Sequence, residues 1–449
     1  MRRRTALTTA PVLLVLALRT IERPGTRDNA LFRIPDVRGR VVPAADLDGD
    51  GLIDVFAARG GDWYSRPFIR TAPERIEALS LRTGSTLYTL WAEPGRFVWD
   101  AGEDVDADGV PDLVVGAFED DAAGELAGAV ALVSGRDGAE LHRVPGSGAH
   151  QWFGASVGFL GDVDGDGTGD YVAGAPHLDP RSAKLERPER TRFGAASVRS
   201  GSDGAELYRL EGEIGDGFGT HVAALGDLDG DGVVDFLVQH HLRSPEPVSL
   251  FSGAPGERIA ELPHAGWWVG PAGHLDADGV PDLFVDRGVE DGVFRDTRVT
   301  FVSGRTLAPL FRLDYPDLWS EYGITVSVGD LDGDGHDDVA LGDANFNISG
   351  PGDPGGASPW AFGLWRLSLR LTASLDSDPW CAFMRESGCA LVYSGRTREL
   401  LFGAFGRPGS ADGMGLAVGA FPDVSGDGRP DLLVAEGWDT YVFAGPGKR

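Results

Sequence analysis

The stretch Phe153–Pro176 reads FGASVGFLGDVDGDGTGDYVAGAP. Two short apolar runs flank a nine-residue centre, DVDGDGTGD at Asp162–Asp170, in which acids recur every second position. Apolar runs bounded by Gly and Asp predict two β-strands joined by a hairpin. The centre recurs six more times. It reads DLDGDGLID at Asp46–Asp54, DVDADGVPD at Asp104–Asp112, DLDGDGVVD at Asp227–Asp235 and HLDADGVPD at His274–Asp282. DLDGDGHDD at Asp330–Asp338 and DVSGDGRPD at Asp423–Asp431 complete the set. A unit repeated along a whole chain is the signature of a repeat architecture.

The surroundings of the loop repeat as well. An apolar segment precedes it, as in FGTHVAALG (Phe218–Gly226) and MGLAVGAF (Met414–Phe421), and another follows, as in LVVGA (Leu113–Ala117). A third ends in Ser-Gly, as in ALVSG (Ala131–Gly135) and FVSG (Phe301–Gly304). A fourth is LHRV (Leu141–Val144), LYRL (Leu207–Leu210) or LFRL (Leu310–Leu313). Four short strands per unit, with no helical periodicity, predict an all-β, seven-bladed β-propeller of four-stranded antiparallel blades over residues 30–449. Named A to D in order, the strands place the Asp loop in the A–B hairpin. Blade six carries an insert at about 343–389. The last unit lacks a fourth segment, while LFRI (Leu31–Ile34) precedes the first unit. The N-terminal strand is therefore expected to close the last blade, because an open sheet edge is a liability.

The loops carry the chemistry. Position one is Asp46, Asp104, Asp162, Asp227, Asp330 and Asp423, with His274 in the fifth copy. Position three is Asp48, Asp106, Asp164, Asp229, Asp276 and Asp332, with Ser425 in the seventh. Position five is Asp50, Asp108, Asp166, Asp231, Asp278, Asp334 and Asp427, and position six is always Gly. Position nine is Asp54, Asp112, Asp170, Asp235, Asp282, Asp338 and Asp431. Hard cations such as Ca²⁺ take six to eight oxygens. Carboxylates at one, three and five of a tight loop can converge, and Gly at six permits the positive φ that turns the backbone. Position seven offers a carbonyl whatever its side chain, as at Leu52, Val110, Thr168, Val233, Val280, His336 and Arg429. Position nine closes the set. Up to seven Ca²⁺ sites are expected, the five complete loops first. An EF-hand is excluded, since position twelve is apolar (Ala57, Val115, Val238) where a Glu is needed. A plain hairpin turn needs no such set of like charges.

The FG-x-S-V, DxDGDGxxD and AGAP segments of Phe153–Pro176 resemble FG-GAP repeats, as in the integrin α-subunit propeller. The resemblance covers residues 30–449. It weakens at VVPAA (Val41–Ala45) and WWVGPAG (Trp267–Gly273). It implies calcium in the A–B loops and ligand binding, where present, on the opposite face.

Composition narrows the classes. The net charge is −29, and no Lys/Arg-rich run occurs beyond the three arginines after Met1, which argues against nucleic acid. Positions one, three, five and nine hold 26 of the 69 acids, so much of the acidity belongs to the loops. Met1-Arg-Arg-Arg followed by the apolar Ala6–Leu18 reads as a signal peptide over residues 1–22, too short to span a bilayer. No other segment reads as a membrane span. Cys381 and Cys389 are expected to pair in an oxidising compartment. The insert carries Trp360, Trp365 and Trp380, rings suited to a protein or glycan ligand. GASVG (Gly154–Gly158) matches a nucleophile elbow, but Ser156 falls in strand A without the required helix. His240-His241 shows no obvious partner in the sequence. The expectation is a secreted or cell-surface, calcium-stabilised scaffold for binding or adhesion. The alternative is a polysaccharide-active, lyase-like enzyme on the same propeller.

Overall fold

The computed structural model describes residues 29–37, 40–59, 75–93, 95–177, 193–214, 216–240, 248–254, 256–262, 268–286, 298–314, 323–343, 388–405, 414–415 and 417–446. The chain is an all-β, seven-bladed propeller of antiparallel four-stranded sheets. Blades one to six each use four strands consecutive in the chain. In blade three these are Val157–Gly161, Asp170–Ala175, Phe193–Arg199 and Glu206–Ile214.

Blade seven joins the two ends of the described chain. Its strands A to C are Val418–Phe421, Asp431–Glu436 and Asp439–Phe443, and its fourth strand is Phe32–Ile34. Phe32 lies opposite Val442 and Ile34 opposite Thr440. Arg33 Nε donates to Asp439 Oδ2 at 2.9 Å, and Thr440 Oγ1 donates to the Val37 carbonyl at 3.0 Å. Ile34 and Val37 are fully buried. The strand expected from LFRI thus sits where its sequence match places it.

Two compact units divide the chain. In the unit of residues 39–287 and 300–311, apolar clusters lie between successive blades. Blades one and two enclose Phe56, Trp91, Phe97 and Trp99. Strand B is covered on both faces: Leu113 and Val115 pack in that cluster, while Val114 packs with Phe153, Phe159 and Tyr171 of blade three. Two-sided burial explains why strand B reads as an unbroken apolar run. In the unit of residues 1–38, 288–299 and 312–449, Val328, Phe402, Met414, Tyr441 and Phe443 form the cluster of blades six and seven.

The FG and GA glycines meet across neighbouring blades. A Cβ on Gly116 would lie 2.1 Å from the Gly154 carbonyl oxygen, and one on Gly174 2.0 Å from that of Gly219. The Gly342–Gly415 approach in blades six and seven repeats the contact at 2.4 Å. Such backbone proximity leaves no room for a side chain. Ser156 is a second stitch between blades: its Oγ donates to the Val222 carbonyl at 3.2 Å and accepts from the Val222 N–H at 3.0 Å. That bonding accounts for the hydroxyl structurally; Ser156 lies one residue before strand A rather than within it.

Candidate metal centres

Each A–B loop is folded by its own carboxylates. In loop one, Asp46 Oδ1 accepts the N–H of Gly49 at 2.8 Å and of Asp50 at 3.1 Å, and Oδ2 accepts that of Gly51 at 3.0 Å. Asp48 Oδ1 accepts from Asp50 at 3.1 Å, and Asp50 Oδ1 from Leu52 at 2.9 Å. The chain turns this tightly because position six is left-handed in all seven loops, with φ from 84° at Gly279 to 90° at Gly167 and Gly335. Position four is left-handed too, and there Ala107 (φ 58°) and Ala277 (φ 56°) adopt it without being glycine.

In five loops the acids converge. Ligand oxygens of Asp46, Asp48 and Asp50 lie within 4.8 Å of one another, as do those of Asp104, Asp106 and Asp108. In loops three, four and six the trio spans positions one, three and nine: Asp162, Asp164 and Asp170; Asp227, Asp229 and Asp235; Asp330, Asp332 and Asp338. Two anions at this separation repel by about 1 kcal/mol even at water-like screening, and by several times that nearer the interior. Three such oxygens, all hard donors, form a set that a hard divalent cation fits. Loops five and seven form no such trio among the described residues.

Position nine does more than the sequence showed. Its side chain is buried in every blade, from Asp54 to Asp431. In blade two, Asp112 Oδ2 accepts the N–H of Val105 at 2.7 Å and of Asp106 at 3.2 Å, and Oδ1 accepts that of Gly135 at 2.9 Å. Gly135 belongs to the Ser-Gly turn after strand C. The same bond joins Gly201 to Asp170, Gly253 to Asp235, Gly304 to Asp282, Gly395 to Asp338 and Gly445 to Asp431; Leu81 takes the place in blade one. Position nine therefore clasps the A–B loop to the C–D turn. The Ser-Gly glycine fits because its Cα presses on the position-eight carbonyl. A Cβ on Gly135 would stand 1.9 Å from the Pro111 oxygen. The repeated Ser-Gly was the available sequence signal, but its meaning needs the contact. Burial pushes Asp112 and Asp235 up to about 6 and Asp338 up to about 7, against backbone N–H bonds that favour the anion.

The loops and blades can now be set beside known proteins. Over 214 residues the chain is 29% identical to integrin alpha-V of Gallus gallus, and over 244 residues 26% identical to integrin alpha pat-2 of Caenorhabditis elegans. The propeller is integrin-α-like. These matches cover 43% and 48% of this chain but 20% and 19% of those proteins, so the chain spans about a fifth of the length of the relatives it matches. No family model matches. The crystal structure of Saccharomyces cerevisiae Sqt1 covers 93% of this chain at a TM-score of 0.51 and 10% identity, a likeness of fold alone.

The other predicted sites fare differently. Trp360, Trp365, Trp380 and Cys381 lie outside the described residues, as do residues 1–28 with the expected signal peptide. Cys389 is buried at the start of strand C in blade six, paired across the sheet with Asp343 and Phe405. Trp91, Trp99 and Trp152 are buried: they serve packing, with Trp152 stacked on Phe118 at 5.5 Å. Trp438, in the B–C turn of blade seven, is exposed. His240 does have a partner, contrary to its reading from sequence. Its Nδ1 lies 3.1 Å from Asp216 Oδ2, and Phe218 packs edge-on against its ring. Asp216 sits in the link between blades three and four, too far along the chain for spacing to suggest it. Among the described residues no helix is long and apolar enough to cross a membrane.

Proposed function

We propose that this chain is a calcium-stabilised, extracytoplasmic binding scaffold of the adhesion type, with its protein or glycan ligand on the face opposite the Asp loops. The observation that carries the reading is the convergence of three carboxylates in five equivalent loops. Resemblance to integrin alpha chains supports it. In loops one, two, three, four and six, carboxylates at positions one, three and five, the position-seven carbonyl and position nine would hold Ca²⁺. Ser425 keeps an oxygen at position three of loop seven, which makes that loop a sixth candidate. Bound there, calcium neutralises the repelling acids and fixes each hairpin, so its role is structural. Millimolar calcium outside the cell suits such sites, as does the basic and apolar N-terminus. The non-repeating B–C loops, above all the Trp-bearing insert, are the proposed ligand surface.

Calorimetric titration of the full chain with calcium tests the metal reading. Several bound ions and a melting temperature lowered by EDTA are expected, since an ion held only by the folded state stabilises it. No bound calcium would overturn it. A glycan array and a protein pull-down, run beside lyase and hydrolase assays, test the scaffold reading, and turnover of a polysaccharide would defeat it. Triple substitution of Trp360, Trp365 and Trp380 by Ala is expected to abolish binding of any ligand found. Retained binding would remove the insert from the site.

A further inference from the structure

The residue after the Ser-Gly turn divides the loops into two kinds. In blade one it is Arg82, whose Nε donates to Asp50 Oδ2 at 2.5 Å and whose terminal nitrogen reaches the Asp50 carbonyl at 3.3 Å. In blade two Arg136 Nε holds Asp108 Oδ2 at 2.8 Å, and its terminal nitrogen bonds the Asp108 carbonyl. In blade five Arg305 repeats the grip on Asp278, at 2.9 Å to Oδ2 and 3.1 Å to the carbonyl. Each guanidinium thus takes both the outer carboxylate oxygen and the carbonyl of position five. The slot is Ser202 in blade three and Ala254 in blade four. Besides the position-seven N–H, position five there meets hydroxyls and no guanidinium: Asp166 those of Ser202 and Thr168, and Asp231 that of Ser252 at 3.3 Å.

This division follows the geometry of the acids. The neutral-clasped loops three and four gather positions one, three and nine, with the buried carboxylate facing the cluster. The Arg-clasped loops one and two gather one, three and five instead. Loop five has both an arginine and His274 at position one, and its acids form no trio among the described residues. Blade six carries Arg396 in the slot, with no ion pair to Asp334 among the described residues; its trio gathers one, three and nine, and the guanidinium beside this loop is Arg429 of blade seven, which bonds the Leu331 carbonyl at 3.1 Å.

We propose that Arg82, Arg136 and Arg305 are tethered counter-cations that sort the loops by calcium affinity, leaving loops three and four tight, loops one and two weak, and loop five filled by Arg305 in place of metal. The proposal rests on the calcium reading above. Calcium loops are tuned by the count of ligand charges. One guanidinium removes a full charge from a loop of four acids. Beside a divalent ion, even at water-like screening, that amounts to on the order of tenfold in affinity. Loop five loses two charges, one to Arg305 and one to the His274 replacement, and its chain-borne cation already occupies position five.

The test is calcium titration of the full chain by calorimetry. Wild type is expected to fill in at least two steps. Arg82→Gln with Arg136→Gln should tighten the weaker step roughly tenfold, whereas the matching Lys pair, which keeps the charge, should stay near wild type. All four side chains replace half-exposed arginines, so folding is retained. For loop five, Asp276→Asn should leave the number of bound ions unchanged, while Asp229→Asn in loop four should remove one. An unchanged or weakened isotherm in the Gln pair, equal tightening by Lys, or an ion lost in Asp276→Asn would each overturn the proposal. Wild type that binds no calcium at all would instead sink the calcium reading itself.

Discussion

Replacing Asp112 by Ala separates a clasp from a ligand. The substitution removes the acceptor of three backbone donors, the N–H groups of Val105, Asp106 and Gly135. A buried donor left without a partner costs ~1–3 kcal/mol. The Gly135 N–H is buried against the loop and counts in full. Those of Val105 and Asp106 lie in a partly exposed hairpin, where water recovers part of the loss. The expected total is about 3–5 kcal/mol. Asp106→Ala is the control. Asp106 belongs to the acidic trio of the same loop, Asp104, Asp106 and Asp108, and accepts only the Asp108 N–H, at 3.1 Å near solvent. Its loss is expected to cost under about 1 kcal/mol without metal. The assay is urea unfolding in EDTA, followed by far-UV circular dichroism. Asp112→Ala should lower the midpoint strongly and Asp106→Ala barely. With calcium present, both should lose the stabilisation that loop two contributes. Equal midpoints for the two variants in EDTA would refute the clasp and return position nine to being a ligand alone.

Other outcomes follow from contacts already described. Ile34→Ala in the closing strand should cost about 2–4 kcal/mol of a fully buried side chain, and deletion of residues 25–36 should lower the melting temperature of the whole propeller; an unchanged melt would exclude closure. Gly174→Ala should cost at least about 2 kcal/mol, because its Cβ would lie 2.0 Å from the Gly219 oxygen, whereas Gly148→Ala, with open space around it, should be silent in the same thermal melt. The melting temperature should also change its pH slope with metal. Asp112, Asp235 and Asp338 titrate near 6 to 7 when folded, against 3.8 for an unperturbed aspartate. In EDTA the folded state holds protons that the unfolded chain releases, so stability should fall as pH rises from 5 through 7. Calcium needs the anions, so saturating calcium should reverse that slope; parallel slopes would contradict the assignment.

The strands, blade count and closing strand were legible because each is a local pattern repeated in register. The Asp loops were legible for the same reason, down to the left-handed glycine at position six. Contacts between distant repeats were not. An aspartate that faces backbone donors reads the same as one that faces an ion, so the role of Asp112 and its equivalents stayed hidden. The FG and GA glycines look like two motifs until Gly116 is seen against Gly154. Trp91 and Trp152 sit near strand ends, where a ligand or a core could claim them, and burial decides for the core. His240 needed Asp216, brought beside it only by the fold.

The seventh blade carries a consequence for how the protein is made. Arg33 and Asp439, paired across its outer edge, stand 406 residues apart in the chain. At ~5–20 residues per second of synthesis, the first strand waits roughly 20–80 s for its partner. Throughout that interval Ile34 has no blade to enter, and six sheets can form around a gap. A protein assembled this way exposes one unfinished edge throughout that interval, and its cell must keep that edge from neighbouring chains until the strands of blade seven arrive.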